Sequence, residues 1–283
     1  MPNVILTAIA EFRPFGQKNF SAYLSGKHQN LFCPTASKFC NFVLKAHSAT
    51  VPFKMERYSN REIKIFKNLK TPKKIQDFLD RFKINFEDKG ETCYSPRMVF
   101  KKHKCHCMEG ALFAAAALEF HGHKPLVMDL RAASHDFDHV VAVFKQFGCF
   151  GAISKTNHAI LRFREPVYKT IRELALSYFH EYFDDIGRKN LREYSRPFNL
   201  RYFDQPGKLP PHPSRSKSGH PLPQGRGNID NLNWRTASEN LFQIPDYLDR
   251  IKHYKILSPR QIRNLRKADP IEIKAGKLLE WKK

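Results

Sequence analysis

The feature that most constrains the fold is an uncharged apolar run, residues 110–118, between Glu109 and Glu119. The segment from Cys107 to His121 around it is apolar on nearly every side of a helix, which predicts a buried helix at the centre of a domain. Gly122 then provides the stop signal. Because the run is far shorter than the roughly 20 residues that cross a bilayer, the sequence predicts no transmembrane helix.

Apolar segments after this helix have the composition of buried strands. They are residues 125–128 and 139–144, and a turn at 146–148 leads to a third strand at 150–154. Short apolar runs separated by turn residues are typical of paired strands. The sequence therefore predicts an α+β fold in which the buried helix packs on a small antiparallel sheet.

Three further helices are predicted from capping residues and periodicity. Thr71 and Pro72 suit the start of a helix whose apolar residues recur through Phe82. A capping box begins at Thr170 and predicts a long, one-sided helix through Tyr182. Apolar residues at helical spacing in 241–251 predict another.

The domain organisation follows from shifts in composition. Residues 1–54 have no clean periodicity and are interpreted as an N-terminal appendage of unassigned structure. Residues 55–204 are the predicted domain. Residues 205–228 turn to Pro, Gly, Ser and basic side chains, which predicts a flexible linker, and 229–283 form a small helical C-terminal region.

Charge and cysteine content bear on partners and location. Lys and Arg exceed Asp and Glu by 49 to 27, a net charge of +22, which predicts weak binding of polyanions without sequence preference. No phosphate loop or zinc-finger spacing supports a sequence-specific nucleic-acid reader. The N-terminus does not resemble a secretory signal, so we expect a cytoplasmic protein with reduced thiols. The basic residues singled out are Lys101, Lys102, Lys104, Arg260, Arg263, Arg266 and Lys267.

Cys107 stands at the first turn of the buried helix, where free backbone N–H groups and the helix dipole favour a thiolate. His139 begins a predicted strand 32 residues later. A histidine on a sheet facing a cysteine on a helix end can take the thiol proton. We therefore predict a Cys107–His139 catalytic pair.

The spacing around this pair resembles that of the transglutaminase-like superfamily of cysteine acyl-transfer enzymes. A small residue, Ala111, lies four positions after Cys107, and Gly122 lies fifteen after it. An aromatic residue, Phe150, follows the turn after the His139 strand. The resemblance covers about residues 93–165, and segments within 71–200 are similar to a bacterial branch of the superfamily without an assigned substrate.

The resemblance implies a transglutaminase-like (papain-like) fold and acyl transfer or hydrolysis at an amide or ester carbonyl of a protein or peptide-like substrate. It implies no metal and no organic cofactor. At the third catalytic position the superfamily usually has Asp, whereas Ser154 stands here. Ser154 and Asn157 are equal candidates to orient His139, and Asp136 and Asp138 are weaker ones because they directly precede it.

Two alternatives to an active enzyme follow from the same residues. A zinc site would use Cys105, His106 and Cys107 with His121 and His123, but a helix about 21 Å long separates the two groups. A catalytically inactive binding or scaffold protein is suggested by Ser154. The polyanion binder described above is the remaining alternative function.

Overall fold

The computed structural model describes residues 58–205 and 232–282, which all belong to one compact unit, Pro52–Lys283. The predicted N-terminal appendage, 1–54, lies outside the described residues, as do Cys33 and Cys40. The predicted linker also lies outside them, apart from Gln205.

The described residues contain helices before, between and after the strands. The α-helices are α1 (Asn60–Asn68), α2 (Pro72–Leu79), α3 (Pro96–Lys102), α4 (Cys107–Phe120), α5 (Ile171–Leu176), α6 (Gln243–Leu248), α7 (Pro259–Arg263) and α8 (Pro270–Gly276). The strands are β1 (Lys83–Ile84), β2 (Lys104–Cys105), β3 (Leu126–Arg131), β4 (His139–Gln146), β5 (Cys149–Ile153), β6 (Arg164–Tyr168), β7 (Glu193–Ser195), β8 (Phe198–Asn199) and β9 (His253–Lys255).

Helix α4 is the predicted central helix, and every residue from Met108 to Glu119 is buried. It packs on β4 and β3 on one side and on α2 and α3 on the other. The prediction of a buried helix starting at Cys107 is confirmed. The apolar side chains on nearly all faces of α4 are shielded from solvent because protein surrounds the helix.

The sheet places β4 near its centre, in the order β6-β5-β4-β3-β7-β9, with β8 also paired to β3. All of its pairings are antiparallel. The three predicted strands correspond to β3, β4 and β5. The protein therefore has a mixed helix and antiparallel-sheet architecture, as α+β predicts.

The predicted starts of α2 and α5 are confirmed, whereas the predicted length of α5 is wrong. Thr71 caps α2 by accepting from the Lys74 N–H, and Pro72 is its first residue. The capping box at Thr170 is present, but α5 ends at Leu176 instead of continuing to Tyr182. The Ser177 carbonyl accepts from Arg164 instead of continuing the helical ladder, and the chain resumes as a short 3-10 helix, Phe179–Glu181.

The C-terminal segment, 232–282, differs from the separate helical region that the sequence suggests. Strand β9 adds to the main sheet by pairing with β7. Trp234, Leu241 and Ile244 are fully buried in the same hydrophobic core as α4. Strand β9 could not be predicted from the sequence because a three-residue strand has almost no hydrophobic periodicity.

In the parts of the chain that the structure describes, no helix combines the length and apolar character needed to cross a membrane.

Candidate active site

Cys107 is the first residue of α4 and follows β2 after a single residue, His106. Its side chain is partly exposed and lines a cleft of about 610 Å³, together with His139. The first N–H groups of a helix have no partner within the helix, so they present positive charge beside the Cys107 sulfur. The structure thus brings the two predicted residues to one cleft.

His139 is the first residue of β4 and is buried. Its Nε2 lies 2.8 Å from Ser154 Oγ, and Ser154 Oγ donates to the Leu161 carbonyl oxygen at 2.5 Å. A hydroxyl has one proton, which here goes to Leu161, so Ser154 accepts from an Nε2–H of His139. That assignment leaves Nδ1 of the neutral ring without a proton and able to accept one.

Ser154 directly follows β5 and is held in place by hydrogen bonds to α2. Its backbone N–H donates to Gln76 Oε1 at 2.9 Å, and Gln76 Nε2 donates to the Ser154 carbonyl at 2.8 Å. Gln76 is buried and bonds both backbone groups of one residue. The hydroxyl that faces His139 is therefore held in place by a helix packed behind the sheet.

The other candidates for the third position have different partners. Asn157 donates to the Trp281 carbonyl and accepts from the Trp281 N–H, both at 2.8 Å. Asp136 accepts from the Asn190 side chain, and Asp138 accepts from the Ala132 N–H at 2.7 Å. Of the four, only Ser154 has a described hydrogen bond to His139.

Two histidines, His106 and His139, influence the thiol of Cys107. Burial alone disfavours its thiolate, but hydrogen bonds to His106 and His139 and the charges of both rings lower the pKa of Cys107 well below that of an ordinary thiol. By contrast, burial raises the pKa of Cys105 and of Cys93, both of which are fully enclosed. Of these three thiols, Cys107 is the one whose surroundings favour nucleophilic chemistry.

Sequence reasoning missed the part that His106 and Glu109 play beside Cys107. Glu109 is buried in the first turn of α4 and accepts from the His106 backbone N–H at 3.0 Å. The His106 ring lies 3.5 Å from the same carboxylate. A charged residue three positions after a helix cap, at the edge of an otherwise apolar helix, was the signal available for a buried carboxylate.

Lys155 was also missed, and it explains a glycine inside the buried helix. A Cβ at Gly110 would lie 2.5 Å from Lys155 Cβ, so only glycine lets α4 approach the segment after β5 this closely. Lys155 Nζ donates to the carbonyls of Leu79 and Phe82, at the end of α2 and just beyond it. Lys155 lines the cleft, but its ammonium is engaged with these carbonyls rather than with Cys107.

Among residues 58–205 and 232–282, metal-competent side chains do not form the cluster at Cys107 that the zinc alternative requires. His106 caps the start of α4 and His121 follows its end, as the spacing predicts. Elsewhere, Asp129, Asp138 and Asp249 bring carboxylate oxygens within 4.8 Å of one another. His253 already bonds Asp129 at 2.8 Å, and the Arg131 guanidinium lies 3.9 Å from Asp138, so basic residues face this cluster.

The rim of the cleft combines apolar side chains with the C-terminal segment. Phe137 is 90% exposed and Ile186 is 56% exposed, and both line the opening. Ile273 and Lys277, in and just after α8, form another part of the wall. Lys101, Lys102 and Lys104 do not line this cleft, whereas Arg260 and Arg263 are exposed on α7. Polyanion binding stays a prediction.

No protein-family model matches the sequence, and no curated protein matches it either.

Proposed function

We propose that the protein is a transglutaminase-like cysteine enzyme that transfers or hydrolyses an acyl group through Cys107 and His139. The observation that carries this proposal is the hydrogen-bond chain His139–Ser154–Leu161, which leaves one nitrogen of the neutral His139 ring able to accept a proton. The lowered pKa of Cys107 supports the same chemistry. The buried helix on an antiparallel sheet is the arrangement that the superfamily resemblance implies.

The reaction begins when the Cys107 proton passes to His139. The thiolate then attacks the carbonyl carbon, so that a C–S bond forms and the carbonyl electrons move to oxygen. The oxyanion collapses, the C–N or C–O bond breaks, and the leaving group takes the proton from His139. Water or an amine next attacks the thioester, its proton passes to His139, and the Cys107 thiolate leaves.

Positive charge for the oxyanion comes from the start of α4. The backbone N–H of Cys107 is at the first helical position, where no acceptor within the helix exists. An N–H group aimed at a developing oxyanion is a common source of transition-state stabilisation. The nucleophile and this donor therefore belong to the same residue.

The substrate class that fits the cleft is a protein or peptide-like chain. A volume of about 610 Å³ admits an extended segment, and Phe137 at the rim offers contact to an apolar side chain. Cys93, Cys105, Cys107 and Cys149 are free thiols. A cytoplasmic location, which keeps thiols reduced, is part of the proposal.

The alternative is a scaffold protein whose catalysis ended when Asp was replaced at position 154. The surroundings of Ser154 argue against that history. An Asp at this position would place carboxylate oxygens against the Leu161 carbonyl, which accepts hydrogen bonds and cannot donate. The position accommodates a hydroxyl that donates and accepts, so Ser154 fits as the native partner of His139.

The test is a screen of activated ester and amide substrates with the full chain, comparing the natural protein with Cys107→Ala and His139→Gln. We expect turnover in the natural protein, none in Cys107→Ala, and a loss of about 100-fold to 10,000-fold in His139→Gln, the range for a general base. Cys149→Ala, which alters another partly exposed thiol, is the matched control. Turnover that survives in Cys107→Ala would refute the enzyme proposal.

A further inference from the structure

The two histidines beside Cys107 are held by different kinds of partner. His139 is bonded to a neutral hydroxyl, Ser154. His106 Nε2 lies 3.1 Å from the Thr92 carbonyl, which can only accept, so this nitrogen carries a proton. The His106 ring also lies 3.5 Å from the Glu109 carboxylate and 3.7 Å from Glu87. Negative charge is therefore concentrated on the His106 side.

Glu109 is surrounded by hydrogen-bond donors, which stabilise its carboxylate. It accepts from the Thr92 hydroxyl at 2.8 Å, from the Tyr94 N–H at 3.0 Å and from Asn85 Nδ2 at 3.1 Å. The His106 N–H adds a further bond at 3.0 Å. Glu109 is fully buried, and among its described contacts the basic partner is the His106 ring, with no bond to Lys or Arg.

The ionisable groups that act on His106 are Cys107 and Glu109 on α4 and Glu87 from the loop after β1. His139, the other histidine that influences Cys107, is also ionisable. Burial alone favours the neutral ring. The hydrogen bond to Cys107 and the charges of Cys107 and Glu109 outweigh burial and raise the pKa of His106 to about 9. The Thr92 carbonyl thus fixes a proton on Nε2, and the nearby negative charges favour a second proton on Nδ1.

We propose that His106, backed by Glu109, is a fixed imidazolium that serves as the counter-ion of the Cys107 thiolate. The inference rests on the proposed function and adds a second histidine to it. The superfamily usually stabilises the protonated catalytic histidine with an Asp, whereas this chain stabilises the thiolate with a cation. Both arrangements favour the same charge-separated state of the nucleophile.

The assignment keeps the proton balance of the reaction unchanged. The thiol proton passes to His139, then to the leaving group, and a new proton returns to His139 from water or an amine. His106 keeps both of its ring protons throughout. Its positive charge beside the protonated His139 ring would be unfavourable alone, but Glu109 and Glu87 offset it.

The experiment measures iodoacetamide alkylation of Cys107 against pH, by peptide mass spectrometry, in the natural protein, His106→Gln, His139→Gln and His123→Gln. We expect the alkylation midpoint to rise by about 1 to 3 pH units in His106→Gln, the effect of losing one nearby opposite charge. His123 lies beyond the other end of α4, so His123→Gln should leave the midpoint unchanged. An unchanged midpoint in His106→Gln would overturn the inference.

The outcomes separate this inference from the proposed function. A Cys107 whose alkylation follows the same pH dependence as that of Cys149 would refute both. A low midpoint that depends on His139 but not on His106 would refute the counter-ion alone. If His106→Gln unfolds, nitrogen-labelled histidine NMR of the natural protein decides the question, because the inference requires a doubly protonated His106 ring at neutral pH.

Discussion

The two histidines that influence the Cys107 sulfur come from different parts of the chain, and their partners differ in charge. One is His139, from a strand 32 residues away, with an uncharged partner in Ser154. The other is His106, adjacent in sequence, with the buried carboxylate of Glu109. We propose that the mobile proton and the fixed charge belong to different histidines, so that a hydroxyl suffices where transglutaminase-like enzymes usually have a carboxylate.

Glu109→Gln removes the negative charge beside His106 and should have the largest effect of the variants considered, a loss of stability. The variant amide places two donors among groups that already donate, so we expect a loss of about 1–3 kcal/mol in the free energy of unfolding. Urea unfolding followed by circular dichroism measures it.

The same variant should also change the pH dependence of stability. The pKa of His106 is raised in the fold to about 9, so its stabilisation is complete below about pH 6.5 and is lost as pH rises through about 9. In Glu109→Gln this loss should be smaller. Glu62→Gln is the matched control, because Glu62 is buried beside Arg97 and its pKa is lowered, which confines its titration to acid pH. Equal slopes in Glu109→Gln and the natural protein between pH 6.5 and 9 would contradict the role of Glu109.

The sequence predicted the strand side of the site better than the charged side. Cys107, His139 and Ser154 could be found because a helix start and strand alternation fix where side chains point. The choice between Ser154 and Asn157 could not be made, since it depends on Gln76 and on the C-terminal segment, both distant in sequence. The same limit applies to β9, whose place in the sheet is set by tertiary pairing with β7.

Glu109 and Lys155 were unpredictable for another reason. Charged side chains are seldom buried without partners, so composition favours placing them at the surface. Their burial depends on groups from other segments: Thr92 and Asn85 for Glu109, and the carbonyls at the end of α2 for Lys155. Only the assembled fold shows that those partners converge.

Ser154→Ala removes the uncharged partner of His139 and should have a smaller effect, seen in the acylation rate. The bonds between Gln76 and the backbone of residue 154 remain, so that residue keeps its position while His139 loses its hydrogen-bond acceptor. Loss of one neutral hydrogen bond of about 0.5–1.5 kcal/mol corresponds to a roughly 2-fold to 13-fold decrease in the acylation rate. Stopped-flow acylation with an activated ester measures it. A loss as large as that of His139→Gln would mean that Ser154 does more than orient the ring.

Asn157→Ala should have the smallest effect on the nucleophile, and it sharpens the assignment of the third position. The Asn157 side chain bonds both backbone groups of Trp281, so its removal should loosen the C-terminal segment without moving His139. We expect faster limited proteolysis within residues 270–282 and an alkylation midpoint for Cys107 equal to that of the natural protein. Because His139 and Ser154 keep all their described bonds in this variant, a raised midpoint would show that Asn157 acts on His139 and that Ser154 is not its sole partner.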